Sequence, residues 1–291
     1  IHPVFALPTG WEVIEGEVSF NQVDGNTLNI TTNSQNAIVN YQTFSIGNGQ
    51  TVNFILFNNS SSILNRVLGG GASQINGNLF SNGNVGLVNA SGINFGANAN
   101  VNVGSMMAST LNITDGNYLA GNYQFERDGA ASMISNAGNI QASDFIFMGA
   151  GAIENTGTMS APGGNLQLAV GDRMTLAFGN NLDVSVTVDE SLKEQVEGVH
   201  TAINNTGTLE ADLIDMKVSL AENIYAKAVN TDGLIRNTKL VYEYGHIKIV
   251  ADGGGIDHTG IISSNGLYGG EVLLSSTGNL MMMGLSLIHI S

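Results

Sequence analysis

Cysteine is absent from the 291 residues, proline occurs three times and charged side chains make up only 11%. Without cysteine there is no disulfide framework, no thiolate metal site and no cysteine nucleophile. Lys and Arg number nine against 24 acidic residues, a formal net charge of -15. With no basic cluster to grip phosphates, nucleic acid is excluded as a partner, as is electrostatic docking on anionic lipid. No apolar run reaches the ~18 residues a membrane helix needs. Glycine lacks the three-residue period of collagen.

What is abundant is glycine, 38 residues, and asparagine, 36. Hydrophobic content is 43%, enough for a large core. Few charges, few prolines and many Gly and Asn point to strands and turns rather than helices.

Both ends carry signals of their own. Val4 and Ala6 stand at the -3 and -1 positions of a signal-peptidase site, so residues 1–6 read as a signal-peptide remnant or, more simply, a frayed terminus. At the other end, Leu285–Ser291 resembles the translation of a transposase-end sequencing adapter, so His289 carries no argument.

One pattern recurs four times: apolar-x-Asn/His-x-Gly-x-apolar-x-small. It spans Ile134–Ala142, Ile153–Ala161, Ile203–Ala211 and Ile256–Ser264, with starts 19, 50 and 53 residues apart. Those steps suit one coil and then roughly two and a half coils of about 20 residues each. Each unit alternates apolar and polar side chains, as a strand with one buried face does. Three of them carry Asn-x-Gly and the fourth His-x-Gly, and Asn and Gly tolerate positive φ at turns. Between 72 and 113, Ile75, Leu79, Val85, Leu87, Ile93, Phe95, Val101 and Val103 form short alternating runs. Ser81-Asn82-Gly83 and Ala90-Ser91-Gly92 separate them as turns.

Short strands at this spacing also fit a sandwich or barrel. Runs of three to five residues, with Asn recurring at corners where amides stack, favour a right-handed parallel β-helix. At about 20–22 residues per coil the chain would form roughly thirteen coils, a rod on the order of 60 Å long. Asp189–Gly198 interrupts the pattern with helix formers, with Asp189 as N-cap, Leu192 and Val196 on one face, and Gly198 as stop. It predicts one short extra-helical helix.

At residue level the chain resembles the N-terminal secretion domain of two-partner-secretion exoproteins, the filamentous haemagglutinin family. The likeness opens at Leu7-Pro8-Thr9-Gly10 and continues through Ala37–Gly47 and Val52-Asn53-Phe54. It is densest over Ser60–Val67 and Ser73–Leu79. From there it runs through Asn82–Val85, Gly92–Gly96 and Val101–Gly104 to Ala108–Leu111. Ile153–Gly164 and Val170–Arg173 resemble later coils. The chain departs from the family where Asn89-Ala90-Ser91-Gly92 replaces Asn-Pro-Asn-Gly, and where Phe57-Asn58 replaces Gln-Pro. The loss of proline removes a pre-set φ.

The resemblance implies a secretion β-helix over 7–250 and the start of downstream repeats over 251–284, ahead of the adapter-like residues 285–291. It implies export through the periplasm to the surface of a Gram-negative-type bacterium. The partner would be an outer-membrane β-barrel transporter with periplasmic transport-associated domains. A host or neighbouring-cell receptor would come later. It implies no enzyme and no cofactor. Secretion-motif residues carried over are Asn65, Arg66, Val67, Asn89, Ser91 and Gly92. Arg66 reads either as a partner contact or as a solvated or capping side chain.

Enzymatic β-helices need clustered acids. Candidates are Asp183, Asp212 with Asp215, and the group His246, Asp252, Asp257 and His258. His258 fills the Asn slot of the repeat, which favours a structural corner. Gly69-Gly70-Gly71 and Gly253-Gly254-Gly255 read as turns. Three functions remain: an export and adhesion module, the delivery part of a haemolysin or contact-dependent toxin, and a β-helix polysaccharide lyase or hydrolase.

Overall fold

A computed structural model describes residues 7–179, 184–221, 224–237, 245–265 and 270–289. The alternating runs form strands that stack in parallel, coil on coil, as a right-handed β-helix with three faces. The first face runs from Thr27–Thr32 through Thr51–Ile55 and Asn78–Ser81 into the leading halves of the long strands. The second runs from Asn36–Tyr41 through Ser62–Val67 and Asn84–Asn89 into their trailing halves. The long strands Asn100–Ser109, Asn139–Ala150, Thr158–Val170 and Thr208–Ser219 join the two faces. Their register slips at the corner, for instance between Gln141 and Phe145, so the backbone turns there while staying paired.

The third face holds eight strands, from Ser73–Ile75 to Leu280–Met282. An isolated bridge between Ile46 and Ile75 places one more coil at its start. The described residues thus build about nine coils, not thirteen; at ~4.8 Å per coil the rod is about 40 Å long. The 50-residue step explains part of the difference, and the 41-residue step from Ile93 to its direct partner Ile134 explains another part. Ala152–Asn155 pairs directly with Thr201–Asn205, so the 50-residue step is one coil carrying a large excursion. The 53-residue step is two coils, through Lys227–Thr231.

The inward rows, such as Leu28, Val52, Leu79, Val101 and Ile140, make one continuous core. Asparagines stack at a corner of the third face, as the repeat suggested. Buried Asn136 Nδ2 donates to Asn155 Oδ1 at 2.8 Å, and Asn155 Nδ2 donates to Asn205 Oδ1 at 2.7 Å. The repeat glycines serve a different need from the one expected. Gly157 and Gly207 are not among the positive-φ glycines. A Cβ on Gly207 would sit 2.1 Å from the carbonyl oxygen of Gly157 in the coil below. Close stacking, not a left-handed turn, requires glycine there.

At the N-terminal end, Glu12–Glu15 and Val18–Gln22 run antiparallel to the first coil and cover its edge. Two excursions leave the rod, after Ser109 and after Val170. Their strands Tyr123–Glu126, Arg173–Phe178 and Val184–Glu190 form a three-stranded antiparallel sheet. It lies over the second face, whose outward Ile38, Leu64, Val88, Met107 and Phe147 it buries in a second core.

Asp189–Gly198 contains no helix. Glu190 ends a strand, Leu192 bridges to Leu220, and Val196 N donates to the Tyr225 hydroxyl at 3.0 Å. Tertiary partners claim these groups and override the local helix propensity. The short helix is instead Asp115–Leu119, capped by Thr114, whose hydroxyl accepts from Asn117 N at 3.2 Å.

Candidate partner-recognition site

Asn65, Arg66 and Val67 close the strand Ser62–Val67, in which every side chain is buried. Neighbours on both sides of the strand supply its ladder, and Val67 aligns with Asn89 of the next coil. Asn65 sits in an inward row between Val39 and Leu87. Its amide is satisfied there: Oδ1 accepts from the Tyr41 hydroxyl at 3.0 Å and Nδ2 donates to Gly86 O at 3.0 Å.

Arg66 is only 9% exposed and anchors the first excursion. Nη2 donates to Ile113 O at 2.6 Å and lies 2.8 Å from Asp115 Oδ1. Nε donates to Asn112 Oδ1 at 3.1 Å, and Nη1 to Asn40 Oδ1 at 3.3 Å. The guanidinium therefore pins the start of the helix Asp115–Leu119 to the rod. Sequence reading did not single out Asn40, Asn112, Ile113 or Asp115. The family motif marked Arg66 itself, and no pattern in the sequence marked its partners.

Asn89 is buried and turns the chain without the family proline. Its Oδ1 accepts from Ser91 N at 2.9 Å, its carbonyl accepts from Gly92 N at 3.0 Å, and Gly92 takes φ +107°. Asn89 Nδ2 ties this turn to Gly71 O and Ser73 Oγ, both at 3.0 Å. Ser91 alone of the six is exposed. The two motifs meet at one cleft of about 240 Å³, lined among others by Arg66, Val67, Asn89, Ser91, Asn112 and Asp128.

The acidic candidates do not converge. Asp257 pairs outward with Lys227, whereas His258 points inward with Nδ1 2.8 Å from Thr231 Oγ1. His246 joins Asp215 rather than Asp252, with Nε2 3.0 Å from Oδ1. Asp212 accepts from Gly163 N at 3.3 Å. Asp183 lies outside the described residues, as do residues 1–6. Among the described residues no group of three or more His, Asp or Glu could hold a metal.

Burial pushes the Asp215 carboxyl up, but the hydrogen bond and charge of His246, with Lys217, outweigh it. The net effect holds it below its ordinary value of 3.8. A depressed carboxylate stabilises the fold above its unfolded pKa, and that contribution is lost as pH falls through the folded value. Asp215→Asn should flatten the acid limb of a stability profile below about pH 4 relative to wild type. Urea midpoints measured from pH 2 to 6 check this, and parallel profiles would refute it.

Comparison with known proteins places this geometry. The family model for the TPS secretion domain matches residues 6–287. The HMW1 secretion domain of Haemophilus influenzae superposes with a TM-score of 0.77 at 27% identity, over 96% of this chain and 73% of that one. The filamentous hemagglutinin secretion domain shares the fold, with a TM-score of 0.66 at 14% identity, over 96% and 97% of the two chains. Two Haemophilus influenzae heme/hemopexin-binding proteins are 27% and 26% identical over 84% of this chain. The chain spans only 27–28% of their length. With nearly three-quarters of the neighbouring HMW1 chain retraced and the family model matched nearly end to end, the chain belongs to the TPS secretion domain family.

Proposed function

We propose that this domain addresses a large bacterial surface protein, an adhesin or haemagglutinin, for export by an outer-membrane β-barrel partner. Domains of this family are transport modules rather than enzymes, and they direct export through the periplasm to the cell exterior. The periplasmic transport-associated domains of the barrel are the first receptor, and Asn65, Arg66, Val67, Asn89, Ser91 and Gly92 form the address. One observation supports the manner of reading. Five of those six side chains or backbones are buried once the coils close. The partner therefore reads the segment while it is extended, by pairing at a sheet edge. Coil closure outside the cell then buries apolar surface and opposes back-sliding without ATP.

Co-expression with the cognate barrel tests this. Asn65→Ala with Arg66→Ala should abolish export, and urea-unfolded wild-type chain should bind the isolated periplasmic domains while folded chain does not. Export of the double variant at wild-type level would remove the motif assignment. Equal binding of folded chain would remove the unfolded-state reading. The named relatives favour one further possibility, that the complete protein binds heme or hemopexin. Heme-agarose retention of the complete protein tests it.

A further inference from the structure

The second face of the rod is roofed by the antiparallel sheet, but among the described residues no strand lies over the first face. Across its first six coils two outward rows run from Thr27 and Asn29 to Thr158 and Ser160, before Glu210 and Arg236 enter the second row. They contain only Thr, Asn, Gln, Ser and one Phe. In a chain of net charge -15 this strip carries no ionisable group. One row reads, coil by coil, Asn29, Asn53, Phe80, Asn102, Gln141. Phe80 is half-buried, and nearby Ile55 is 47% exposed. With Asn29, Asn53 and Asn102 they line a shallow trough of about 700 Å³. Asn53 Nδ2 donates to Asn29 Oδ1 at 2.9 Å, which orients both amides. The Asn102 amide has no side-chain partner among the described residues.

We infer that this trough binds an uncharged glycan chain lying along the rod, one sugar ring stacked on Phe80 and its hydroxyls held by the flanking asparagine amides. An aromatic face offers the apolar platform that sugar C–H groups need. Each amide supplies both donor and acceptor, matching hydroxyls that do the same. The coil rise of ~4.8 Å is close to the length of one pyranose residue, so successive amides meet successive sugars. Peptide capture by strand addition is closed off, because Thr51–Ile55 and Asn78–Ser81 are paired on both sides. Charge complementarity selects a neutral ligand, since the strip offers no cation to a polyanion and the molecule as a whole repels one. The corresponding row of the third face, Gln74, Asn94, Ser135, is broken by Glu154 and has no ring.

Calorimetric titration of the full chain with cellohexaose, laminarihexaose, maltohexaose and hexagalacturonate tests the inference. At least one neutral hexamer should bind and the acidic one should not. Phe80→Ala should weaken binding about tenfold or more, with the melting temperature unchanged because the ring faces outward. Asn102→Ala should weaken it about threefold. This exposed site decides the matter should the Phe80 variant fail to fold. The inference is overturned if no neutral hexamer binds, if hexagalacturonate binds as tightly, or if Asn102→Ala leaves affinity untouched. Self-association of wild type that Phe80→Ala abolishes would equally overturn it, by assigning the trough to a second copy of the chain.

Discussion

Arg66→Ala should destabilise the domain by about 2–4 kcal/mol, most of it from acceptors left without a donor. Four groups converge on the guanidinium: Ile113 O, Asn112 Oδ1, Asn40 Oδ1 and the Asp115 carboxylate. The ion pair is the smaller part, because the Asp115 side chain is 43% exposed and water screens it. The larger part is Ile113 O and the buried fork geometry, which no lysine reproduces. Arg66→Lys should therefore recover less than half of the loss. The damage should be local first. Amide exchange in Leu111–Ala120 should rise at denaturant concentrations where the coils remain protected. Uniform loss of protection across all coils would show that Arg66 supports the rod itself rather than the excursion.

The second large effect is expected at Asn155. This residue is buried, accepts from Asn136 and donates to Asn205. Asn155→Leu keeps most of the volume but orphans an amide hydrogen on one side and a carbonyl oxygen on the other. Two buried unsatisfied groups at about 1–3 kcal/mol each predict a total near 3–4 kcal/mol. Asn136→Leu in the same chain should cost less than it does alone, since its partner is already lost. A cycle of urea denaturations measures this coupling. Strict additivity of the two variants would mean that the amides do not act as a ladder.

The parts of the fold that were legible are those where one residue does one job in every coil. Apolar positions such as Ile134, Ile153, Ile203 and Ile256 share one environment, and so do Asn136, Asn155 and Asn205. Their spacing therefore carried the architecture. The coil count was not legible. Arg173–Phe178 and Val184–Glu190 alternate just as coil strands do, and only pairing shows that they leave the rod. Local propensity also misplaced the helix. Asp115-Gly116-Asn117 are weak helix formers held by a Thr114 cap and the Arg66 pair. Leu192 and Val196, better placed on paper, are claimed by Leu220 and Tyr225.

At the site, Asn65, Arg66, Asn89 and Gly92 were found through resemblance to a family, not through chemistry visible in the chain. Composition could not reveal that Asn65 faces a core and Arg66 an excursion, since adjacent residues of one strand point opposite ways. The outward amide row with Phe80 was hidden for a related reason. Its members lie 22 to 39 residues apart in sequence and become a surface only when coils stack.

The roof over the second face also imposes an order in time. Phe147 and Ala169 are covered by Met174, Leu176, Val184 and Val186, and the roof's last strand ends at Glu190. Six coils must therefore be in place before their apolar flank can be shut. During that interval two neighbouring chains could lend each other the missing strands, as in domain swapping. Crowded export sites should favour such exchange and dilute ones suppress it, so the rate of emergence decides whether the rod closes on itself.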